Sequence, residues 1–418
     1  MLRNWKSWPT PCLLIFFAAA LLPARLHGQS FYLHSGDRIA FYGDSITAQR
    51  FYTRDIQDFV ETRYPTLDVA YHNAGVPGDK VSGGFAGDAE VRVTRDVEPF
   101  HPTVITVMLG MNDGDYMPPA PAVFAAYQDG YRKLLALLRA AAPGARITLL
   151  ENTPYDEITH GTQFAGYMAT TVQNAISTPA LARSEGLPFV DVCDPVKDLL
   201  ERARTADPSL AQMLVPERIH PAEPVHWVMA EAVMKAWHMD PVVSSVTIAA
   251  ASGHVTQSER TRVSAVSSQT DRFSWDQLDE ALPLPFNLDN PLMNFVLRIS
   301  DLAQWDQEML HVDGLRTGDY ELTIDGQKIG SFSAGQLGAG VNLALLETPM
   351  WQQARNYDDA LAQRSSLEDA AFILMAETHV GDAEQGENVL LQGEQEFEQK
   401  ARDSLSLKAH HYVLDRIP

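Results

Sequence analysis

At 418 residues, with 45% apolar and 21% charged side chains, the chain is long enough for two globular domains with sizeable cores. Its formal net charge of −22 argues against nucleic acid or an anionic membrane as a partner, because like charges repel, and favours neutral substrates.

The chain opens MLRNWKSWPTPCLLIFFAAALLPARLHGQS. Arg3 and Lys6 precede an apolar run from Cys12 to Leu22, and the small residues Ala24 and Gly28 follow it. That is the layout of a secretion signal over residues 1–28, and the run is short for a bilayer span. A single N-terminal anchor is the second reading. Removing residues 1–28 leaves 29 basic against 54 acidic residues, a net charge of −25. Cys12 leaves with the signal, so Cys193 stands alone and no intrachain disulfide can form. Stability must then come from core size. The expected location is secreted or periplasmic, with no stable membrane insertion after the signal is removed.

From residue 37 to about 238, short apolar runs alternate with longer helical stretches. RIAFYG, LDVAYHN, TVITVMLG, ARITLLEN and LPFVDV predict five strands. Their continuous apolar character implies a parallel sheet buried on both faces. Helices are predicted for ITAQRFYTRDIQDFVETRY, VFAAYQDGYRKLLALLRAAA, residues 164–184 and residues 223–237. The last places Trp227, Ala230, Val233, Met234 and Trp237 on one face. Residues 29–240 therefore read as a three-layer α/β unit. After WHMDPVVSSV the texture changes. SSVTIAAASG, RTRVSAV, FVLRISDL, EMLHVDG and YELTIDGQKIGSF predict strands, with a tight hairpin at Asp325-Gly326. A helical piece over 349–375 and an acidic, Gln-rich stretch over 377–402 complete a β-rich, mixed C-terminal domain, residues 241–418.

Ser45 follows IAFYG at a strand end and opens a helix. Ligands of a parallel sheet bind beyond the carboxyl ends of its strands. A nucleophilic serine needs a tight turn, which Gly43 permits, and a helix N-terminus supplies positive dipole and N–H groups. Serine is also a favoured helix cap, which is the bland alternative. In YHNAGVPGDK, Gly75 and Gly78 lie just beyond the second strand, and Gly78 is the preferred backbone N–H donor; a plain Pro-Gly turn is the alternative. Asn112 in VITVMLGMNDGDY ends the third strand, where an amide can donate to a developing oxyanion. His220, just before the last helix, is the candidate base, and Glu217 three residues earlier can accept its second ring N–H. His226 falls inside the helix and reads as packed or capping. His72, His101 and His160 lack companions at ligand spacing, so no metal site is predicted.

These four segments, GDSI, the glycine block, GMND and ERIHP, resemble the blocks of the SGNH (GDSL-type) hydrolases, in that family's order, over residues 37–238. The resemblance implies a flavodoxin-like α/β/α sandwich with parallel sheet order 2-1-3-4-5. It implies ester hydrolysis through a Ser–His–acid triad, with Ser45 and His220 catalytic. The oxyanion hole falls to the Ser45 N–H, the Gly78 N–H and Asn112. No cofactor or metal is implied. One position departs from the pattern: Glu217 stands where the family has aspartate. Among ester substrates, acylated carbohydrate suits a secreted enzyme with an open cleft; a lipid esterase or lysophospholipase is the alternative. A non-catalytic carbohydrate-binding or cell-surface protein with a decayed site is a third reading, favoured only by Glu217.

Overall fold

Five strands form the central sheet, and the turns leaving them position the site. In chain order the first part runs β1 (Asp37–Gly43), α1 (Ser45–Ala48), α2 (Phe51–Arg63), β2 (Val69–Gly75), β3 (Gly83–Gly84), β4 (Gly87–Asp88) and α3 (Ala89–Asp96). It continues through β5 (Val104–Met108), α4 (Pro121–Ala141), β6 (Arg146–Leu150), α5 (Tyr167–Glu185), β7 (Phe189–Val190), α6 (Cys193–Ala206), α7 (Pro208–Ala211) and α8 (Glu223–Ala236). The computed structural model describes residues 30–164, 166–377, 393 and 396–418. The predicted secretion signal and most of the Gln-rich stretch lie outside the described residues.

The sheet order is β2-β1-β5-β6-β7, all parallel. The two-residue β3 and β4 pair only with each other, so the main sheet's own strands run 2-1-3-4-5, as expected. Gly43 pairs with Gly75 and Met108, Met108 with Leu150, and Leu150 with Val190. All five strands thus end on one row. Alternation along β1 builds both cores: Ile39 and Phe41 join the side of α2 and α8, while Ala40 and Tyr42 join the side of α4. Trp227, Ala230, Val233, Met234 and Trp237 are all buried in the first core, on the predicted face of α8.

The predicted helix over 46–64 is broken. Arg50 takes a left-handed φ of +65° between α1 and α2. In an unbroken helix the Tyr52 N–H would bond the Ala48 carbonyl; instead it donates to His226 Nδ1 at 3.2 Å. The Asn73 amide meanwhile takes the Thr47 carbonyl at 2.8 Å. Tertiary partners outcompete the local ladder here.

The second part comprises β8 (Val242–Ala249), β9 (His254–Glu259), β10 (Thr261–Ser268), β11 (Arg272–Asp279), α9 (Pro291–Ile299) and β12 (Gln307–Asp313). There follow β13 (Asp319–Ile324), β14 (Gln327–Ser333), α10 (Ala334–Ala339), β15 (Val341–Asn342), α11 (Pro349–Glu377) and β16 (His410–Arg416). An antiparallel sheet, β10-β11-β16-β13-β14, and a mixed sheet, β15-β12-β8-β9, share a core that includes Ile248, Leu310, Trp275 and Leu322. Asp325 and Gly326, at φ +52° and +82°, make the predicted hairpin turn between β13 and β14.

FVLRISDL, predicted as a strand, lies largely in helix α9. Asn290 caps it by accepting the Leu292 N–H at 2.9 Å, and Pro291 opens its first turn. Leu292, Met293, Phe295 and Val296 form its buried face, a helical spacing that a short apolar run hides. That face, with Leu284 and Phe286, completes the core beneath α8. Arg63 of α2 and Asp306, both fully buried, pair at 2.8 Å, and Asp306 also accepts the Leu284 N–H at 2.8 Å. Residues Phe31–Pro418 are one compact unit.

Candidate active site

The turn after β1 can exist only because two neighbours lack side chains. A Cβ on Gly43 would stand 2.0 Å from Thr47 Oγ1, and one on Gly75 would stand 2.3 Å from the Ala48 N. Asn73 pins the same turn from β2: its Nδ2 reaches Thr47 O at 2.8 Å and Thr53 Oγ1 at 3.0 Å, while its Oδ1 accepts the Gly75 N–H at 3.0 Å. The helix cap is Asp44, whose carboxylate accepts the Ile46 N–H at 3.0 Å. Ser45 is therefore spared the capping role, and its hydroxyl, half-buried, turns to the imidazole.

His220 Nε2 lies 2.7 Å from Ser45 Oγ. On the ring's other side, Nδ1 is hydrogen-bonded to Glu217 Oε1. Arg218, at φ +75°, curls the intervening chain so that the Glu217 carboxylate also accepts the Ile219 N–H (3.3 Å) and the His220 N–H (3.2 Å). The longer glutamate thus still reaches the imidazole. The Glu217 side chain is 53% exposed and that of His220 32%, so the site opens to solvent.

Gly78 follows Pro77 in a tight turn closed by Asp79 N–H to Val76 O at 3.2 Å, with φ +74° at the glycine. The Pro-Gly turn and the predicted donor position are one feature. Asn112 Nδ2 donates to the Asp79 carbonyl at 3.0 Å, which sets Asn112 beside the residue following Gly78. Tyr116 OH donates to Asn112 Oδ1 at 3.3 Å. Both ends of the amide are held, and one Nδ2 hydrogen is left for another acceptor.

A buried charge network underlies these donors. Arg92 Nε reaches Asp79 Oδ2 at 3.1 Å, its Nη2 reaches the Ala74 carbonyl at 2.8 Å, and its Nη1 pairs with Asp96. Arg92 and Asp79 are both fully buried. Burial pushes the Asp44 and Asp113 carboxyls up to about 7, with neighbouring carboxylates adding to both. None of this network is legible as site chemistry in the sequence, apart from Asp79 lying next to Gly78. Asn73 and Tyr116 are likewise found only in the structure. His226 is buried as read: it accepts the Tyr52 N–H on Nδ1, and its Nε2 bonds the Pro221 carbonyl at 3.1 Å. Burial holds its imidazole down at about 3. Among the described residues no cluster of three or more His, Cys, Asp or Glu is arranged to hold a metal.

The profile of the GDSL-like Lipase/Acylhydrolase family matches residues 41–228, the stretch from β1 to α8 that holds all five predicted site residues. Residues 41–228 are a GDSL-like hydrolase domain. The chain is similar in fold to BT4096, a gut microbial diltiazem-metabolizing enzyme, at 24% identity and a TM-score of 0.77 over 92% of this chain and 98% of that one. The likeness therefore runs through both parts of the molecule. It is also similar to Axe2, an acetylxylan esterase from Geobacillus stearothermophilus, at 21% identity and a TM-score of 0.41, covering 50% of this chain and 97% of that one. No curated protein matches the chain.

Proposed function

We propose that this protein is an esterase that acts outside the cytoplasm and removes acetyl or other short acyl groups from carbohydrate by way of an acyl-Ser45 intermediate. The observation that carries the mechanism is the 2.7 Å contact between Ser45 Oγ and His220 Nε2. Ser45 Oγ attacks the ester carbonyl as His220 Nε2 takes its proton, and Glu217 at Nδ1 holds the tautomer and stabilises the imidazolium. The Ser45 N–H, the Gly78 N–H and Asn112 Nδ2 receive the oxyanion. His220 then protonates the leaving alcohol, and a water activated by the same imidazole frees the acid.

The substrate reading rests on openness and charge. A half-buried serine beside a partly exposed imidazole suits a small acyl group carried on a bulky alcohol. An acidic chain suits a neutral one. The basic-then-apolar opening of the sequence supports export.

The test is acetate release from acetylated polysaccharides, set against cleavage of short-chain lipid esters and lysophospholipids, by wild type and Ser45→Ala. Preferential cleavage of the lipids overturns the substrate reading. Equal rates in the two proteins overturn the serine mechanism. Export is tested in the native host: protein recovered outside the cytoplasm should begin near Gln29, and an intact Met1 on cytoplasmic protein overturns it.

A further inference from the structure

The rim of the site carries aromatic rings that acyl transfer does not require. The Tyr116 ring lies 4.8 Å from that of Tyr167, 5.8 Å from that of Phe164 and 6.4 Å from that of Tyr155, centroid to centroid. Tyr155 and Tyr167 are buried and form a floor, whereas Phe164 is 49% exposed and Tyr116 half-buried.

This cluster is tied to both halves of the site. Tyr116 OH holds Asn112 Oδ1 at 3.3 Å. The loop before Phe164 is laced to the residue after Glu217: Arg218 Nη1 and Nη2 donate to the Gly161 and His160 carbonyls at 2.5 and 3.0 Å. The Asp156 N–H in turn donates to the Arg218 carbonyl at 2.8 Å.

Stability does not explain the exposed rings. Phe164 sits at φ +45° and Tyr116 at φ +56°, the left-handed region where a bulky side chain is a genuine outlier. Phe164 is 49% exposed, so its burial is only partial and its backbone disfavours a bulky side chain there. Strain kept at the edge of a reactive site points to use.

The chemistry says which group these rings meet. His220 must protonate the departing oxygen, so the alcohol leaves on the side of the Glu217–His220 loop, to which the Phe164 loop is bound. An exposed aromatic face binds a flat apolar face, such as the C–H side of a pyranose or an aryl ring. We propose that Phe164 and Tyr116 form the subsite for the leaving alcohol and select esters whose alcohol presents a flat apolar face. This inference rests on the ester-hydrolase reading above.

The experiment compares kcat/KM of wild type, Phe164→Ala, Phe164→Gly and Phe164→Trp on an acetylated methyl pyranoside, phenyl acetate and ethyl acetate. Tyr116 is left in place because its hydroxyl holds Asn112. The ratio of pyranoside or phenyl ester to ethyl acetate falls about tenfold in the Ala and Gly variants, through KM, and Trp restores it. The thermal midpoint of Phe164→Gly holds or rises, since glycine accepts this backbone without strain. A fall for the pyranoside alone assigns a sugar, a fall for the phenyl ester alone an aryl alcohol, and either supports the subsite. An unchanged ratio, or an equal fall on all three esters, overturns it. Wild type that cleaves none of the three overturns the ester-hydrolase reading instead, and this inference with it.

Discussion

His220 Nε2 stands 2.7 Å from Ser45 Oγ although 175 residues separate them in the chain. Ser45 follows the end of β1, His220 lies on the loop entering α8, and α8 is held beside α2 through His226 and Tyr52; everything proposed for the reaction passes through this contact. Replacing either residue by alanine should lower the rate of p-nitrophenyl acetate hydrolysis at least about a thousandfold. The double variant should fall no further than the worse single one, because the two groups act as a unit. Additive losses would separate them.

Glu217 offers a finer test, because its carboxylate bonds both the imidazole and two backbone N–H groups. Glu217→Gln keeps an acceptor for the backbone but loses the charge that balances the imidazolium. We expect kcat to drop about ten- to a hundredfold with KM little changed, a smaller loss than at a buried acid because solvent screens this one. An unaltered kcat in Glu217→Ala would remove glutamate from the triad.

Gly75→Ala should damage catalysis more than stability. The new methyl would press on the Ala48 backbone, which cannot swing aside as a side-chain tip can. An overpacking cost of about 1–3 kcal/mol is expected in urea denaturation, with a much larger relative loss of kcat. Full activity in this variant would show that the serine turn tolerates displacement.

Asp306→Ala leaves the fully buried Arg63 guanidinium without its counter-charge, with the Asp240 carbonyl still accepting from Nη1 at 2.5 Å. Stripping one partner from such a pair costs about 3–5 kcal/mol. Chemical denaturation should read that loss directly, and a change below about 1 kcal/mol would mean that the Asp240 carbonyl, or water entering the vacated space, satisfies the guanidinium.

The pH dependence of stability should carry a His226 component. Its folded value of about 3 lies below the ordinary 6.5, so unfolding takes up a proton between these two values. The contribution is fully present above pH 6.5 and is lost as pH falls towards 3, with a slope of about 1.4 kcal/mol per pH unit. His226→Gln, compared with wild type by denaturation at pH 6 and pH 4, should lose that slope. Identical slopes would show that His226 is protonated or solvated in the native state.

Much of the catalytic half was legible because its signals are local. Continuous apolar runs mark strands buried on both faces, and small or polar residues just past them mark the loops. What the sequence hid was settled by distant partners. The helix break at Arg50 depends on His226 and Asn73, which lie far away in the chain. FVLRISDL reads as a strand because five apolar residues in a short window do not reveal their period; the Asn290-Pro291 start was the available signal. Asp44 and Ser45 both qualify as caps by residue type, and only the coordinates assign the bond to Asp44. The Arg92–Asp79 support and the Tyr116–Asn112 bond join separate loops, so no spacing rule could have found them.

The apolar side of α9, together with Leu284 and Phe286, roofs the core beneath α8. A shortened chain ending at residue 240 would carry that core unroofed into water, and exposed patches of this kind drive clumping. Swapping the β-rich half among relatives would meet the same obstacle unless the stretch around residues 281–302 stayed with its host. The hydrolase and its companion have thus been fastened into one inheritable piece.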